Sequence, residues 1–261
     1  MLTEAQMERA ANHLMTDRVE AEFTAGRVQA RRERRVGAIL RSSSPVRASA
    51  QEGRDAVRRA IRREGLDMFT WSDSAAALRC RLGLLRRELG APWPDVSDAG
   101  LLDALDEWLA PELDVLAGGT PAGRISLTSA LRRLLPWPDA ARLDELAPER
   151  LEVPTGSRIR IDYPDPADAT ARPVVAVKLQ ECFGWAETPR LVDGRVPVLF
   201  HLLSPAGRPL AVTDDLASFW SGPYGQVRAE MRGRYPRHPW PEDPWAAVPT
   251  KHTKNLSLIH I

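Results

Sequence analysis

The chain is poor in cysteine and lysine and has no long apolar run. Its only cysteines, Cys80 and Cys182, lie in unrelated contexts, which excludes a disulfide framework and a cysteine-pair metal site. No stretch approaches the roughly 20 apolar residues needed to span a bilayer. Met1 to Ala11 lacks the basic start and apolar core of a signal peptide. The expected setting is cytoplasmic, without a membrane partner. Lysine occurs only at Lys178, Lys251 and Lys254, so arginine carries the positive charge. Between Glu88 and Gly123 there is no basic residue at all, while Asp95, Asp98, Asp103, Asp106, Glu107, Glu112 and Asp114 accumulate. Formal net charge is only +1. Separated basic and acidic stretches suit a protein that meets a polyanion with one surface and another protein domain with another.

Catalytic signatures are missing too. Gly118-Gly119-Thr120-Pro121-Ala122-Gly123-Arg124-Ile125 has the glycine spacing of a phosphate loop. The lysine that would reach the terminal phosphates is Arg124, and the hydroxyl that would hold magnesium is Ile125. A helix-to-helix loop is the expected structure. The five histidines, His13, His201, His238, His252 and His260, have no metal-ligand spacing; His201, in an apolar strand, is expected as a hydrogen-bonded core residue. The carboxylate pairs Asp106-Glu107 and Asp214-Asp215 sit where helix capping or solvation accounts for them. No catalytic residue and no metal site is assigned.

What is there divides into three textures, together an α+β protein. Residues 1–50 read as a β-hairpin: Val19, Ala21 and Phe23 alternate with Glu20 and Glu22, Thr24 to Arg27 is turn chemistry, and a second extended run reaches Leu40. A hairpin is marginal alone, so this segment resembles the end of a barrel or sheet. Residues 51–150 read as a helical connector of five short amphipathic helices, one opening at Ser97 or Asp98 and ended or kinked by Pro111. Residues 151–250 read as a mixed α/β domain. Ile159, Ile161 and Tyr163 form a one-face-buried strand, Val174 to Leu179 and Val198 to Leu203 are central strands, and Pro209 to Val212 follows a tight turn. Helices are predicted over Asp214 to Trp220 and Pro223 to Met231; Pro236 to Pro249 is too proline-rich for helix or central strand. Residues 251–261 form a tail of different character.

Two basic features carry candidate function. In Arg31-Arg32-Glu33-Arg34-Arg35, strand alternation places Arg32 and Arg34 on one side, a stripe suited to a phosphate backbone; the structural alternative is an edge strand defended by charge. The second, Arg232 to Trp245, offers Arg234, Tyr235, Arg237 and Trp240, whose guanidinium and aromatic faces suit single-stranded nucleic acid. Proline-fixed aromatics equally clamp a chain end over its own domain.

Several long blocks carry a resemblance. Val153-Pro154-Thr155-Gly156-Ser157-Arg158-Ile159-Arg160-Ile161-Asp162-Tyr163 resembles the opening of the C-terminal domain of the HrpB family, bacterial DEAH-type ATP-dependent RNA helicases. Val177 to Gly184, Ala186 to Arg190, His201 to Pro209, Asp215 to Trp220 and Arg234 to Pro244 are similar in order and spacing, and the likeness reaches upstream to about residue 18.

The resemblance implies a longer parent with two RecA-like motor domains, a winged helix, a helical bundle and an oligonucleotide-binding (OB-like) barrel, of which residues 1–50 would be the last part. It implies ATP and magnesium in the parent's motor and no cofactor in this chain, which lacks the ATPase motifs. The chain then reads as a fragment, and Asn255 to Ile261 as foreign sequence. The implied role is accessory: supporting single-stranded RNA binding and bracing the motor domains in cis, with the acidic run Asp95 to Asp114 against a basic motor surface. The alternative is a protein-interaction adaptor without nucleic-acid contact.

Overall fold

The computed structural model describes residues 14–253. The readings of Met1 to Ala11 and of Asn255 to Ile261 fall outside the described residues. The protein is α+β and divides into two compact units. One comprises residues up to Ala75 and Val96–Leu134, the other Ala76–Asp95 and everything from Leu135. Compactness and sequence texture thus divide the chain differently, because most of one connector helix and the end of the connector from Leu135 belong to the second unit.

The first unit opens with an antiparallel sheet of β1 (Met15–Thr24), β2 (Arg27–Val36) and β3 (Ile39–Val46). Where a hairpin is predicted there are three strands. Ser42, Ser43 and Ser44 in β3 carry no apolar alternation, so period-2 patterning has nothing to register. Ala25 and Gly26 connect β1 to β2 with φ of 52° and 75°, the two positive values that a two-residue hairpin turn with right-handed strand twist demands. Ala21, Phe23 and Ala30 are buried.

Helix α1 (Ala50–Glu64) packs against β1. Ser49 caps it in a reciprocal box: its hydroxyl accepts from the Glu52 N–H at 3.2 Å, and the Glu52 carboxylate accepts from the Ser49 N–H at 2.7 Å. Val57 and Ile61 on its inner stripe are fully buried, each worth about 1.5–3 kcal/mol. After α2 (Asp73–Leu89), the predicted third helix is three short ones: α3 (Asp98–Asp103), α4 (Leu105–Trp108) and α5 (Ala110–Ala117). Pro111 begins α5 instead of ending its predecessor, since in the first turn a missing N–H costs nothing. Gly53 of α1 faces α5 so closely that a Cβ there would lie 3.3 Å from that of Ala117. Gly118 to Ile125 is a helix-to-helix loop leading to α6 (Leu127–Leu131), and Ile125 is buried.

In the second unit, α7 (Leu143–Leu146) precedes the two-stranded pair β4 (Arg150–Glu152) and β5 (Arg158–Arg160). A three-stranded sheet has the order β10-β9-β6, where β6 is Val174–Lys178, β9 Leu199–Leu203 and β10 Pro209–Thr213. β6 and β9 run parallel, and β10 pairs antiparallel with β9. The small pair β7 (Arg190–Leu191) and β8 (Val196–Pro197) lies between β6 and β9 in sequence. Val175, Val177, Phe200 and Leu202 are buried on this sheet, as expected of short continuous apolar runs.

Helices α8 (Leu216–Ser221) and α9 (Tyr224–Arg234) follow. Phe183, Phe219, Trp220 and Tyr224 form one aromatic cluster, with edge-on or tilted rings whose centroids are 5.1–6.3 Å apart, the separations such pairs prefer. Residues 236–249 form neither helix nor strand, as proline dictates. His201, expected in the core, is half-buried and has no hydrogen bond to its side chain among the described residues. No helix among the described residues is long and apolar enough to cross a membrane.

Candidate nucleic-acid interface

In the first unit, period-2 alternation puts Arg32 and Arg34 on the same face of β2 as Val28 and Ala30. Near the β1–β2 turn that face is core, since Ala30 pairs with the buried Ala21 and Val28 with the buried Phe23. Farther along it becomes polar: Arg32 is opposite Val19 and Ser44, and Arg34 opposite Asp17 and Ser42. The two guanidiniums share one carboxylate, Arg32 Nε at 3.1 Å and Arg34 Nε at 3.2 Å from Asp17. Their side chains remain 55% and 59% exposed, so these ion pairs stabilise little, roughly 0–1 kcal/mol each, and one positive charge stays uncompensated. On the opposite face Arg31 donates to the Ser43 hydroxyl at 2.8 Å, and Arg35 pairs with Glu33 at 2.9 Å.

The acidic run behaves differently from the sequence expectation. Arg54 Nε donates to Asp114 at 2.8 Å, Arg58 pairs with Asp106, and Arg133 pairs with Glu112. Three of the acids expected to face a basic motor surface are engaged by arginines of their own unit. For Asp106, Glu112 and Asp114 the countercharges lie far away in sequence, which is why the stretch looks uncompensated when read along the chain.

In the second unit the candidates separate. Arg234 ends α9 and is exposed, as is Arg237. Tyr235 caps the helix backbone through its N–H to the Met231 carbonyl at 2.7 Å; its half-buried ring stands edge-on to His238 at 6.4 Å. Burial and the nearby Lys178 ammonium hold His238 below the usual imidazole range. Trp240 does not belong with them as a stacking surface. It is only 5% exposed, and its indole N–H donates to the Tyr235 carbonyl at 3.0 Å. The proline-fixed segment clamps its own domain: Arg228 donates to the Trp240 carbonyl at 3.0 Å, the Tyr224 hydroxyl to that of Pro241 at 2.8 Å, and the Gly184 N–H to that of Pro244 at 2.9 Å.

Next to Arg234 and Tyr235, a pocket of about 220 Å³ opens between α9 and the β9–β10 turn, with Ser204, Arg208, Glu230 and Met231 also in its wall. Arg208 and Glu230 are not identified by sequence reading. The available signals are the arginine directly after the Pro205-Ala206-Gly207 turn and the Glu230/Arg234 spacing of one helical turn. The paired carboxylates have structural roles: Asp215 caps α8, accepting from the Ser218 N–H at 3.0 Å and the Ser218 hydroxyl at 2.6 Å, and Asp214 pairs with Arg172. Among the described residues no group of three or more His, Cys, Asp or Glu side chains is placed to hold a metal ion.

A sequence profile of the ATP-dependent helicase C-terminal family, HrpB_C, matches residues 108–244. The chain is 40% identical over 244 residues to the ATP-dependent RNA helicase HrpB of Escherichia coli K12, a match that takes in 93% of this chain and 30% of that protein. A crystal structure of E. coli DExH-box NTPase HrpB superposes with a TM-score of 0.74 at 36% identity, over 97% of this chain and 31% of the other. A second, of the E. coli DEAH/RHA helicase HrpB, gives 0.66 at 37% identity, over 87% of this chain and 29% of the other. The chain thus spans about a third of the length of these relatives. With the profile match extending over more than half of its residues, the chain belongs to the HrpB family of ATP-dependent helicase C-terminal regions.

Proposed function

We propose that this chain is the accessory region of an ATP-dependent RNA helicase, supporting the grip on single-stranded RNA while the motor that binds ATP and magnesium lies outside it. The observation that carries the reading is the placement of Arg32 and Arg34: side by side, more than half exposed, on a sheet face that turns from core to polar, with one carboxylate between two guanidiniums. Such a pair of exposed guanidiniums suits a phosphate backbone, and binding of this kind depends strongly on salt. Family membership supplies the rest, since the matched relative is by name an RNA helicase. Bracing of the motor in cis belongs to this reading, but the acidic run is a weak candidate for that role because Asp106, Glu112 and Asp114 already have arginine partners.

The test is a salt titration of single-stranded RNA binding by the purified chain. Arg32→Glu with Arg34→Glu is expected to weaken binding and flatten the dependence of log affinity on log salt by about 0.7 for each phosphate no longer neutralised. Unchanged affinity and slope refute the assignment.

A further inference from the structure

The pocket beside α9 combines features that differ from the rest of the arginine-rich surface. Most arginines of the second unit are committed: Arg81 to Asp144 and Glu149, Arg142 to Glu145 and Asp193, Arg172 to Asp214, Arg228 to Glu242. Arg208 and Arg234 are exposed, share the wall of one concavity, and have no ion-pair or side-chain hydrogen-bond partner among the described residues. Glu230, one turn before Arg234 on α9, faces the same space and forms no ion pair with either.

Ser204 is 1% exposed. Its oxygen accepts from the Arg208 N–H at 3.1 Å, while its own proton has no acceptor among the described residues. The pocket lies just beyond the carboxyl end of β9, on the turn that leads into β10. Lys178 and Leu203 are register partners at the ends of β6 and β9, and Ser204 and Arg208 form the turn that leaves β9.

The lining therefore offers two free guanidiniums, one hydroxyl donor, one carboxylate acceptor and the half-buried Tyr235 ring. Its volume is below the roughly 300–1,000 Å³ of pockets for drug-sized molecules, which suits part of a chain more than a free dinucleotide. Paired guanidiniums recognise a phosphate, and an aromatic face recognises a base without regard to its identity. A carboxylate repels phosphate but accepts from a sugar 2′-hydroxyl, the group that tells RNA from DNA.

We infer that this pocket holds one ribonucleotide of a single strand, its phosphate between Arg208 and Arg234, its ribose hydroxyl on Glu230 and its base against Tyr235. The inference rests on the RNA-binding reading above and adds an RNA-binding point in the second unit that is independent of Arg32 and Arg34.

The experiment uses the whole chain and a fluorescently labelled ten-nucleotide single-stranded oligoribonucleotide, alongside its deoxy counterpart, with binding followed by anisotropy over a range of salt. Arg208→Ala with Arg234→Ala is expected to lower ribo-oligonucleotide affinity about tenfold, in line with removal of a charged hydrogen bond. The salt slope should flatten by about 0.7, the equivalent of one phosphate. Glu230→Ala is expected to raise affinity for the deoxy strand and narrow the preference for ribose. A 4-thiouridine oligoribonucleotide should cross-link to Tyr235 in the unsubstituted protein, a readout that does not depend on any variant folding.

Wild-type affinity in the Arg208/Arg234 variant, or cross-links confined to residues 31–35, overturns the pocket assignment while leaving the β2 reading intact. Loss of binding in that variant with no effect of the Arg32/Arg34 substitutions refutes the β2 reading and upholds the pocket. Absence of any RNA binding by the unsubstituted chain refutes both.

Discussion

The indole nitrogen of Trp240 donates to the carbonyl of Tyr235 at 3.0 Å, five residues back along a proline-rich segment. This one bond holds the segment onto its own domain and takes one of the two tryptophans of the basic tract almost wholly out of contact with solvent. Trp240→Ala is therefore expected to destabilise the second unit by about 3–5 kcal/mol, the usual cost of truncating a buried large aromatic side chain. Trp240→Phe should lose much less, about 1 kcal/mol for the hydrogen bond, and leave RNA affinity unchanged. Urea denaturation and RNA titration on the same samples decide this. A Phe variant of normal stability but weakened RNA binding would return Trp240 to the interface.

Arg81 on α2 presents a second buried anchor. Its side chain is 5% exposed, and its Nε donates to the Ala147 carbonyl at 2.6 Å, while its amino nitrogens reach Asp144 and Glu149. The two carboxylates are 87% and 74% exposed, so water screens the ion pairs and the bond to the carbonyl dominates. Arg81→Ala is expected to lower stability by about 1–3 kcal/mol for the orphaned carbonyl alone. Arg81→Lys should recover only part of it, because one ammonium cannot reproduce the guanidinium fork. Equal stability of the Lys variant and the parent in chemical denaturation would show that the fork is dispensable.

These anchors show what patterning reveals and what it hides. β6, β9 and β10 are legible because short apolar runs end at unmistakable turns, and the β1–β2 turn is legible from Ala25-Gly26. β3 is not, because serines fill it. The role of Pro111 is ambiguous in sequence, since proline both ends one helix and begins the next.

The blocks that carry the family resemblance prove to hold one another. Glu181, from the second block, is buried and accepts from Thr155 and Ser157 of the first at 2.8 and 2.7 Å; Gly184 bonds to Pro244 of the last. The candidate site is only half legible. Arg32 and Arg34 follow from alternation, but the pocket needs Arg208 from a turn and Glu230 from a helix, which only tertiary structure brings to one wall.

Asp215 supplies a pH prediction. Its hydrogen bonds from the Ser218 hydroxyl and N–H hold the carboxyl below its ordinary value. A carboxyl whose folded pKa is depressed stabilises above the unfolded pKa, and that contribution is lost as pH falls through the folded one. Between neutral pH and the ordinary aspartate range Asp215 should therefore add a constant increment, which disappears on further acidification. Asp215→Asn is expected to retain the cap in large part while flattening the acid limb of stability against pH. Urea midpoints measured across that range check it, and an acid limb of unchanged steepness would show that Asp215 does not contribute to it.

The single carboxylate between Arg32 and Arg34 leads to the prediction with the clearest sign. Asp17 faces both guanidiniums at 3.1 and 3.2 Å on a solvent-exposed strand pair. If the arginines serve RNA, Asp17 competes with phosphate for them. Asp17→Asn should then strengthen single-stranded RNA binding and steepen its salt dependence, since a second positive charge becomes available. Folding should change little, because exposed ion pairs contribute about 0–1 kcal/mol. If Arg32 and Arg34 serve only to defend an exposed strand by charge, the same substitution alters stability by that small amount and leaves RNA affinity where it was. Anisotropy titrations at two ionic strengths separate these outcomes.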